Sequence, residues 1–140
     1  MHNQILRHLI ASIKYRFNKA VEGSPMDFGN FGLGHGSRSP REIVHHMYDV
    51  IHSTRVFVEE GAMPKGDLEK LSFEKEVDRF KAELYVLDLL IAQKPLDMNY
   101  SNRLIQGPLT DVLTHIGQLA MLQRLVGNPL EWEDFSKSDV

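Results

Sequence analysis

Apolar residues recur at intervals of three and four positions in four separate segments of the chain, which is the periodicity of amphipathic helices. The first predicted helix covers residues 3–21 and ends before Gly23. The second begins at Ser39 and Pro40 and ends near Gly61. Ser39 can cap the first turn, Pro40 suits the first helical position, and Glu42 completes a capping box.

Two further helices follow the same periodicity. The third covers residues 67–93, and its apolar seam is of the kind found in helix bundles. That seam consists of Phe73, Val77, Phe80, Leu84, Leu87 and Ile91. The fourth begins at Gly107 and Pro108 and ends at Val126, just before Gly127. Because no segment alternates with a period of two, we predict an all-α fold, a four-helix bundle that forms a single domain over residues 1–140.

Two long connections, residues 22–38 and 94–106, are predicted to be crossover loops. The first contains a glycine-rich stretch, residues 28–36. No strand precedes this stretch and no helix follows it at once, so it does not fit a nucleotide-binding loop. We expect it to pack Phe28 and Phe31 on the bundle. Loops of this length are often functional, so a role beside a pocket stays open.

The amino-acid composition limits the kinds of binding and of reactive site that the protein can have. The 140 residues include 16 Lys plus Arg and 19 Asp plus Glu, a formal net charge of −3. This balance argues against nucleic-acid binding through a basic face. The chain has seven histidines and no cysteine, which excludes disulfides, thiolate metal sites and a cysteine nucleophile. Any metal must be held mainly by His, Asp, Glu or backbone oxygen.

The distribution of charges predicts no targeting or membrane segment. Charged residues interrupt the N-terminal apolar run, so the core of a signal peptide is lacking. The longest apolar stretch, near residues 85–92, contains Asp88 and is far shorter than the ~18 residues that a membrane span requires. We therefore expect a cytoplasmic protein that interacts with neither a membrane nor nucleic acid.

Helical geometry separates the three histidines of the second helix. Its predicted apolar stripe consists of Ile43, Met47, Val50, Thr54, Phe57 and Val58. At about 100° per residue, His46 lies about 70° from the centre of that stripe, at the edge of the buried face. His45 and His52 fall on the far side, and we expect both to face solvent. The alternative role for His46 is a boundary histidine bonded to a neighbouring carbonyl.

In the fourth helix, Asp111 and His115 are four residues apart and therefore share one strip of helix surface. A carboxylate and an imidazole at this spacing can hold one cation, and a facing helix can supply a third ligand. His46 is the natural third ligand. Two histidines and one carboxylate leave positions open for water or substrate. The alternative is an ordinary surface pair between Asp111 and His115.

Two segments resemble the DinB/YfiT-like superfamily. The start of the second helix, Ser-Pro-Arg-Glu-Ile-Val-His-His-Met, is similar to the second helix of that family. In its last conserved helix the family has a histidine, three residues, then His-Arg-Gly-Gln. Here residues 115–118 read His-Ile-Gly-Gln, and Arg124 and the Gly-Asn-Pro of residues 127–129 match the ending. With the four helices and the long crossovers, the resemblance covers nearly the whole chain.

The resemblance implies a homodimeric four-helix bundle with a divalent zinc or nickel ion held by three histidines. The helix-two ligand corresponds to His46 and the last ligand to His115. The middle ligand corresponds to Asp111, where the family has histidine, and the family's arginine after the last ligand is Ile116 here. Aspartate can also bind iron or manganese, so the site either survives with an altered preference or is degenerate and empty.

Three functions stay open from the sequence. The first is a metal-dependent thiol S-transferase or hydrolase, as in characterised members of the family, acting on a small molecule such as a low-molecular-weight thiol. Its catalytic residues are not assigned, although Tyr48, Asp49 or Gln118 could assist. The second is a non-catalytic, stress-associated or ligand-binding bundle without an ion. The third is a structural dimerisation module.

Overall fold

The computed structural model describes residues 2–140, and within that part of the chain the elements are helical, without a β-strand. The helices are α1 (Gln4–Val21), α2 (Pro40–Glu60), α3 (Phe73–Gln93), α4 (Met98–Leu104) and α5 (Thr110–Leu125). A π segment (Ile105–Leu109) joins α4 to α5 without a break. The prediction of an all-α bundle built from four long helical segments is therefore confirmed.

The bundle places each helix between two neighbours. The packed pairs are α1 with α3, α3 with α2, α2 with α5, and α5 with α1. Consequently α1 and α2 occupy opposite corners, and so do α3 and α5. The connection from α1 to α2 and the one from α3 towards α5 therefore both cross the bundle, as the sequence predicted.

Local capping explains where α2 and α3 begin. At α2, the Ser39 hydroxyl accepts a hydrogen bond from the Glu42 backbone, and the Glu42 carboxylate accepts one from the Ser39 backbone. This capping box was predicted. The predicted start of α3 at residue 67 was wrong, because Ser72 caps the helix by accepting from the backbone N–H of Lys75. A cap of this kind holds the preceding residue outside the helix.

The fourth helical segment differs from its prediction at its start. Residues 98–104 were assigned to a crossover loop, but they form α4, which begins after the Asp97 cap. Pro108 was expected to begin the helix and instead lies inside it. Proline lacks an N–H and its ring collides with the carbonyl four residues earlier, so the wider π turn accommodates it. The Thr110 hydroxyl donates to the Ile105 carbonyl within this turn.

The core confirms most of the predicted apolar seams. All six predicted seam residues of α3 are buried, and Phe17 of α1 meets Phe80 with ring centroids 4.5 Å apart. In α1 the periodic apolar positions were predicted to include Ile5, Leu9, Ile13 and Phe17. Ile13 and Phe17 are buried, but Ile5 is 82% exposed while its neighbour Leu6 is buried. In the part of the chain that the structure describes, no helix has both the length and the apolar character needed to cross a bilayer.

The glycine-rich loop packs against the bundle as expected. Phe28 is buried, and its ring meets that of Phe73 edge to face at 5.5 Å. Gly29 permits this approach, because a Cβ atom there would lie 2.3 Å from the Cβ of Phe73. Further along, Leu33 and Gly36 border a recess of about 400 Å³ beside α5. The loop therefore both packs on the core and borders a recess.

Candidate metal centre

The packing of α2 against α5 brings His46, Asp111 and His115 together. One carboxylate oxygen of Asp111, Oδ2, lies 3.3 Å from His46 Nε2 and 3.5 Å from His115 Nε2. The two imidazole rings meet edge to face with centroids 4.7 Å apart. One ligand atom from each residue lies within 4.8 Å of the other two, so these residues could hold a metal ion. The structure thus assembles the three residues that the sequence selected.

The contact with Gln118 determines which ring nitrogen of a neutral His115 carries the proton. Its amide oxygen lies 2.8 Å from His115 Nδ1, so the imidazole donates its Nδ1 proton there. A neutral His115 therefore presents a lone pair at Nε2, directed towards the Asp111 carboxylate. Two acceptors 3.5 Å apart repel each other unless a cation lies between them or the imidazole is protonated. A cation shared by the two groups, or a second proton on the imidazole, would therefore join them.

The environment keeps His46 neutral. Burial lowers the pKa of His46 below its ordinary value of 6.5, and the positive charge of Arg38, with that of His115 whenever His115 is protonated, lowers it further. The Asp111 carboxylate acts in the opposite direction but does not outweigh them. Because a metal binds the neutral form of imidazole, this histidine is ready to act as a ligand at neutral pH.

Two of the three separations between donor atoms fit a small divalent ion, and the third is no longer than 4.8 Å. With bonds of about 2.0–2.2 Å, neighbouring donors in a tetrahedral zinc site lie about 3.3–3.6 Å apart. The two separations from Asp111 Oδ2, 3.3 and 3.5 Å, fall in that range. Three protein ligands also leave a fourth position for water or substrate, which is the arrangement of catalytic rather than structural sites.

An apolar cleft of about 830 Å³ opens beside Asp111. The lining residues come from α2 and the loop after it, from α4, from the π segment and from the start of α5, and they include Val50, Phe57, Leu104 and Pro108. Cavities of this size typically hold small-molecule ligands. The π segment contributes directly to this wall, as such distortions of helices often do at functional sites. A substrate in the cleft would reach the metal centre at Asp111.

His45 and His52 do not face solvent, so that prediction was wrong. His45 Nδ1 lies 2.6 Å from the carboxylate of Glu76, which is fully buried in α3. One heptad further, His52 Nδ1 lies 3.3 Å from Glu83. Both histidines are half-buried against α3. The shared seven-residue interval, 45 to 52 and 76 to 83, is a signal in the sequence that predicts this pairing.

The wrong prediction for His45 and His52 has a geometric cause. The residues that α2 buries are Ile43, Val44, Met47, Tyr48, Ile51 and Val58. Their centre lies about 60° further round the helix than that of the predicted stripe. Three residues of the predicted stripe, Val50, Thr54 and Phe57, line the cleft instead. An apolar wall of a binding cleft and an apolar core face have the same appearance in a sequence.

Comparisons with family models, with curated proteins and with solved structures found no match to this chain.

Proposed function

We propose that this chain is a divalent-metal-dependent enzyme of the DinB-like type, a hydrolase or thiol S-transferase, with His46, Asp111 and His115 as the metal ligands. The observation that carries the proposal is the convergence of two imidazoles on one carboxylate oxygen at the wall of an apolar cleft. Structural metal sites are usually closed by four protein ligands, whereas this group offers three.

Each residue of the site has a distinct task. Gln118 holds His115 in the tautomer whose Nε2 is free to bind. Asp111 faces both histidines and supplies negative charge. A bound divalent ion would supply Lewis acidity, which makes a water molecule or a thiol acidic enough to act as a nucleophile near neutral pH. The cleft holds the apolar part of the substrate and keeps water away from it.

The ligand set also bears on which metal is used. Zinc and nickel are bound by imidazole and carboxylate together, as are iron and manganese, and the carboxylate at position 111 extends the range towards the last two. We propose a small molecule, such as a low-molecular-weight thiol or its conjugate, as the substrate. We also propose that the protein is a cytoplasmic homodimer.

Metal content tests the proposal. Protein purified without chelator and dialysed with zinc, nickel or manganese should retain about one ion per chain, measured by plasma mass spectrometry. His115→Ala should lose that ion. His8→Ala, which changes an exposed histidine of α1, should keep it.

The result that overturns the enzyme proposal is a wild-type protein without stoichiometric metal after all three incubations. In that case the non-catalytic, ligand-binding function becomes the better one, since the cleft would remain without a reactive centre.

A further inference from the structure

A second recess, of about 270 Å³, adjoins the candidate metal centre. His46 forms part of its wall, and Asp49 lines both this recess and the apolar cleft. Three cationic side chains also line it: Arg38, Arg41 and Lys70. A molecule that extended from the cleft past the metal centre would enter this recess.

Most of the carboxylates in the recess are already engaged. Glu42 accepts from the Ser39 backbone within the capping box. Glu76 accepts from His45, from Arg79 and from the Leu71 backbone. The charge of Glu76 is balanced by Arg79. Glu42 keeps its negative charge, because its hydrogen-bond partner Ser39 is neutral. The bonds to Ser39 lower the pKa of Glu42 most, and the nearby Lys70 and Arg41 lower it further.

Asp49 is the exception among these carboxylates. Among residues 2–140, the only side chain that hydrogen-bonds to Asp49 is Ser53, whose hydroxyl donates to it at 3.3 Å. Asp49 and Glu42 together carry two negative charges against the three positive charges of Arg38, Arg41 and Lys70, so the recess keeps a net positive charge.

The three cations form no close ion pair in the described part of the chain, although Arg41 and Lys70 lie near enough to Glu42 to add to the lowering of its pKa by the hydrogen bonds to Ser39. Within residues 2–140, no side chain forms an ion pair with Arg38, Arg41 or Lys70. Arg38 also lines the neighbouring recess that contains Gln118. The start of α2 is not an anion site by itself, because Pro40 has no N–H and the capping box already uses the amide of Glu42.

We infer that the recess beside His46 binds an anionic group of the substrate, a carboxylate or a phosphate, through Arg38, Arg41 and Lys70. The planar guanidinium of arginine offers paired donors that match either group. The substrate is then amphipathic, with its anionic end in the recess and its apolar part in the cleft. This inference rests on the proposed function, since it takes the metal centre between the two hollows as the place of reaction.

Calorimetric titration with simple amphipathic probes tests the inference. Zinc-loaded and metal-free protein at pH 7.5 are titrated with octanoate, octyl phosphate and 1-octanol. In Arg38→Gln/Arg41→Gln, the affinity for at least one anionic probe should fall about tenfold or more in both protein forms, while that for 1-octanol stays within twofold. The probe whose affinity falls further, octanoate or octyl phosphate, identifies the anionic group that the recess prefers. The matched control is Lys14→Gln/Arg124→Gln, which removes the same charge from exposed positions elsewhere and should change each affinity less than twofold.

Other outcomes overturn the inference. Equal weakening by both double variants would mean that only the overall charge matters. Affinities unchanged in Arg38→Gln/Arg41→Gln would mean that these cations are merely solvated. Loss of octanoate binding on metal removal alone, with the arginines irrelevant, would place the anion on the metal.

A separate zinc titration shows whether the anion-binding inference or the proposed enzyme function has failed. Arginine-dependent binding of octanoate or octyl phosphate by a protein that holds no zinc supports the recess and removes the enzyme proposal. Zinc binding without arginine-dependent anion binding supports the enzyme proposal and removes the recess as an anion site. The double variant should keep its zinc affinity within threefold, which verifies that it is folded.

Discussion

Helix α2 pairs histidines with carboxylates along both of its edges, and the two edges differ in what balances the negative charge. Towards α3, Glu76 is contacted by Arg79 as well as His45, and Glu83 by Arg55 as well as His52. We call these four contacts the α2–α3 network. Towards α5, Asp111 has two histidines and no arginine or lysine.

The difference separates a structural arrangement from a functional one. In the α2–α3 network each carboxylate is buried with a permanent cation, so its charge is satisfied within the chain. At the candidate metal centre the Asp111 carboxylate lies at a cleft, 41% exposed, and faces Nε2 of His115. Similar residue types thus stabilise the fold on one edge and leave room for an external cation on the other.

The largest expected effect is a loss of stability when the α2–α3 network is disrupted. Glu76→Gln removes the charge partner of Arg79 and His45 inside the core, and breaking a buried pair in this way costs about 3–5 kcal/mol. Urea unfolding measures this loss of free energy. Glu74→Gln, an exposed neighbour on the same helix, should change it by less than about 0.5 kcal/mol.

The zinc affinity of Glu76→Gln is the other half of this comparison. It should equal that of the wild type, since Glu76 is no ligand. A variant that unfolds no more easily than the wild type would show that the network does not stabilise the fold.

The second prediction concerns Asp111, where we expect a loss of zinc affinity without a loss of stability, the reverse of Glu76→Gln. Asp111→Asn removes a ligand, so the zinc affinity should fall by more than the roughly 10–100-fold that changes around ligands cause. The stability of the metal-free protein should change by less than about 0.5 kcal/mol, because the carboxylate is partly exposed and lacks a cationic partner. Competition with a chromophoric chelator and urea unfolding give the two quantities. A stability loss comparable with that of Glu76→Gln would mean that the two edges of α2 do not differ.

The sequence predicts the helical fold well because local signals are strong there. The capping box at Ser39 and the α3 seam both depend on residues close in the chain. The ligands His46, Asp111 and His115 could also be selected, by angle on α2, by four-residue spacing on α5 and by resemblance. Their actual meeting depends on how α2 packs against α5, which no local pattern contains.

Other features required the three-dimensional structure. The continuation of the fourth helix through Pro108 depends on a π turn, which the general rule for proline does not foresee. The apolar residues that line the cleft look like core residues in the sequence. The recess around Arg38 combines side chains from a loop, from α2 and from the segment before α3, so its composition appears only in the fold.

A third, smaller effect concerns the partner of His115. Gln118→Ala removes the acceptor that fixes the imidazole tautomer, and we expect zinc affinity to fall about 10–100-fold. Stability should scarcely change, because Gln118 is exposed. Gln118→Glu, which retains an acceptor, should restore most of the affinity. Equal loss in both variants would argue against a tautomer effect.

The smallest effect is a shift with pH. Since the pKa of His46 lies below 6.5, zinc affinity should stay nearly level from pH 8 to 7 and fall as the pH drops through that pKa. Arg38→Gln removes one cause of the lowered pKa, so the fall should begin at a slightly higher pH. Lys14→Gln should leave the profile unchanged. A shift to lower pH in Arg38→Gln would contradict the electrostatic account.

The most direct measurement of the central claim is anomalous diffraction at the zinc edge from crystals grown with zinc. The account predicts one strong peak between α2 and α5, about 2.0–2.2 Å from His46 Nε2, His115 Nε2 and a carboxylate oxygen of Asp111. Crystals with full zinc exposure and no peak at these three residues, or with peaks only elsewhere, would contradict it.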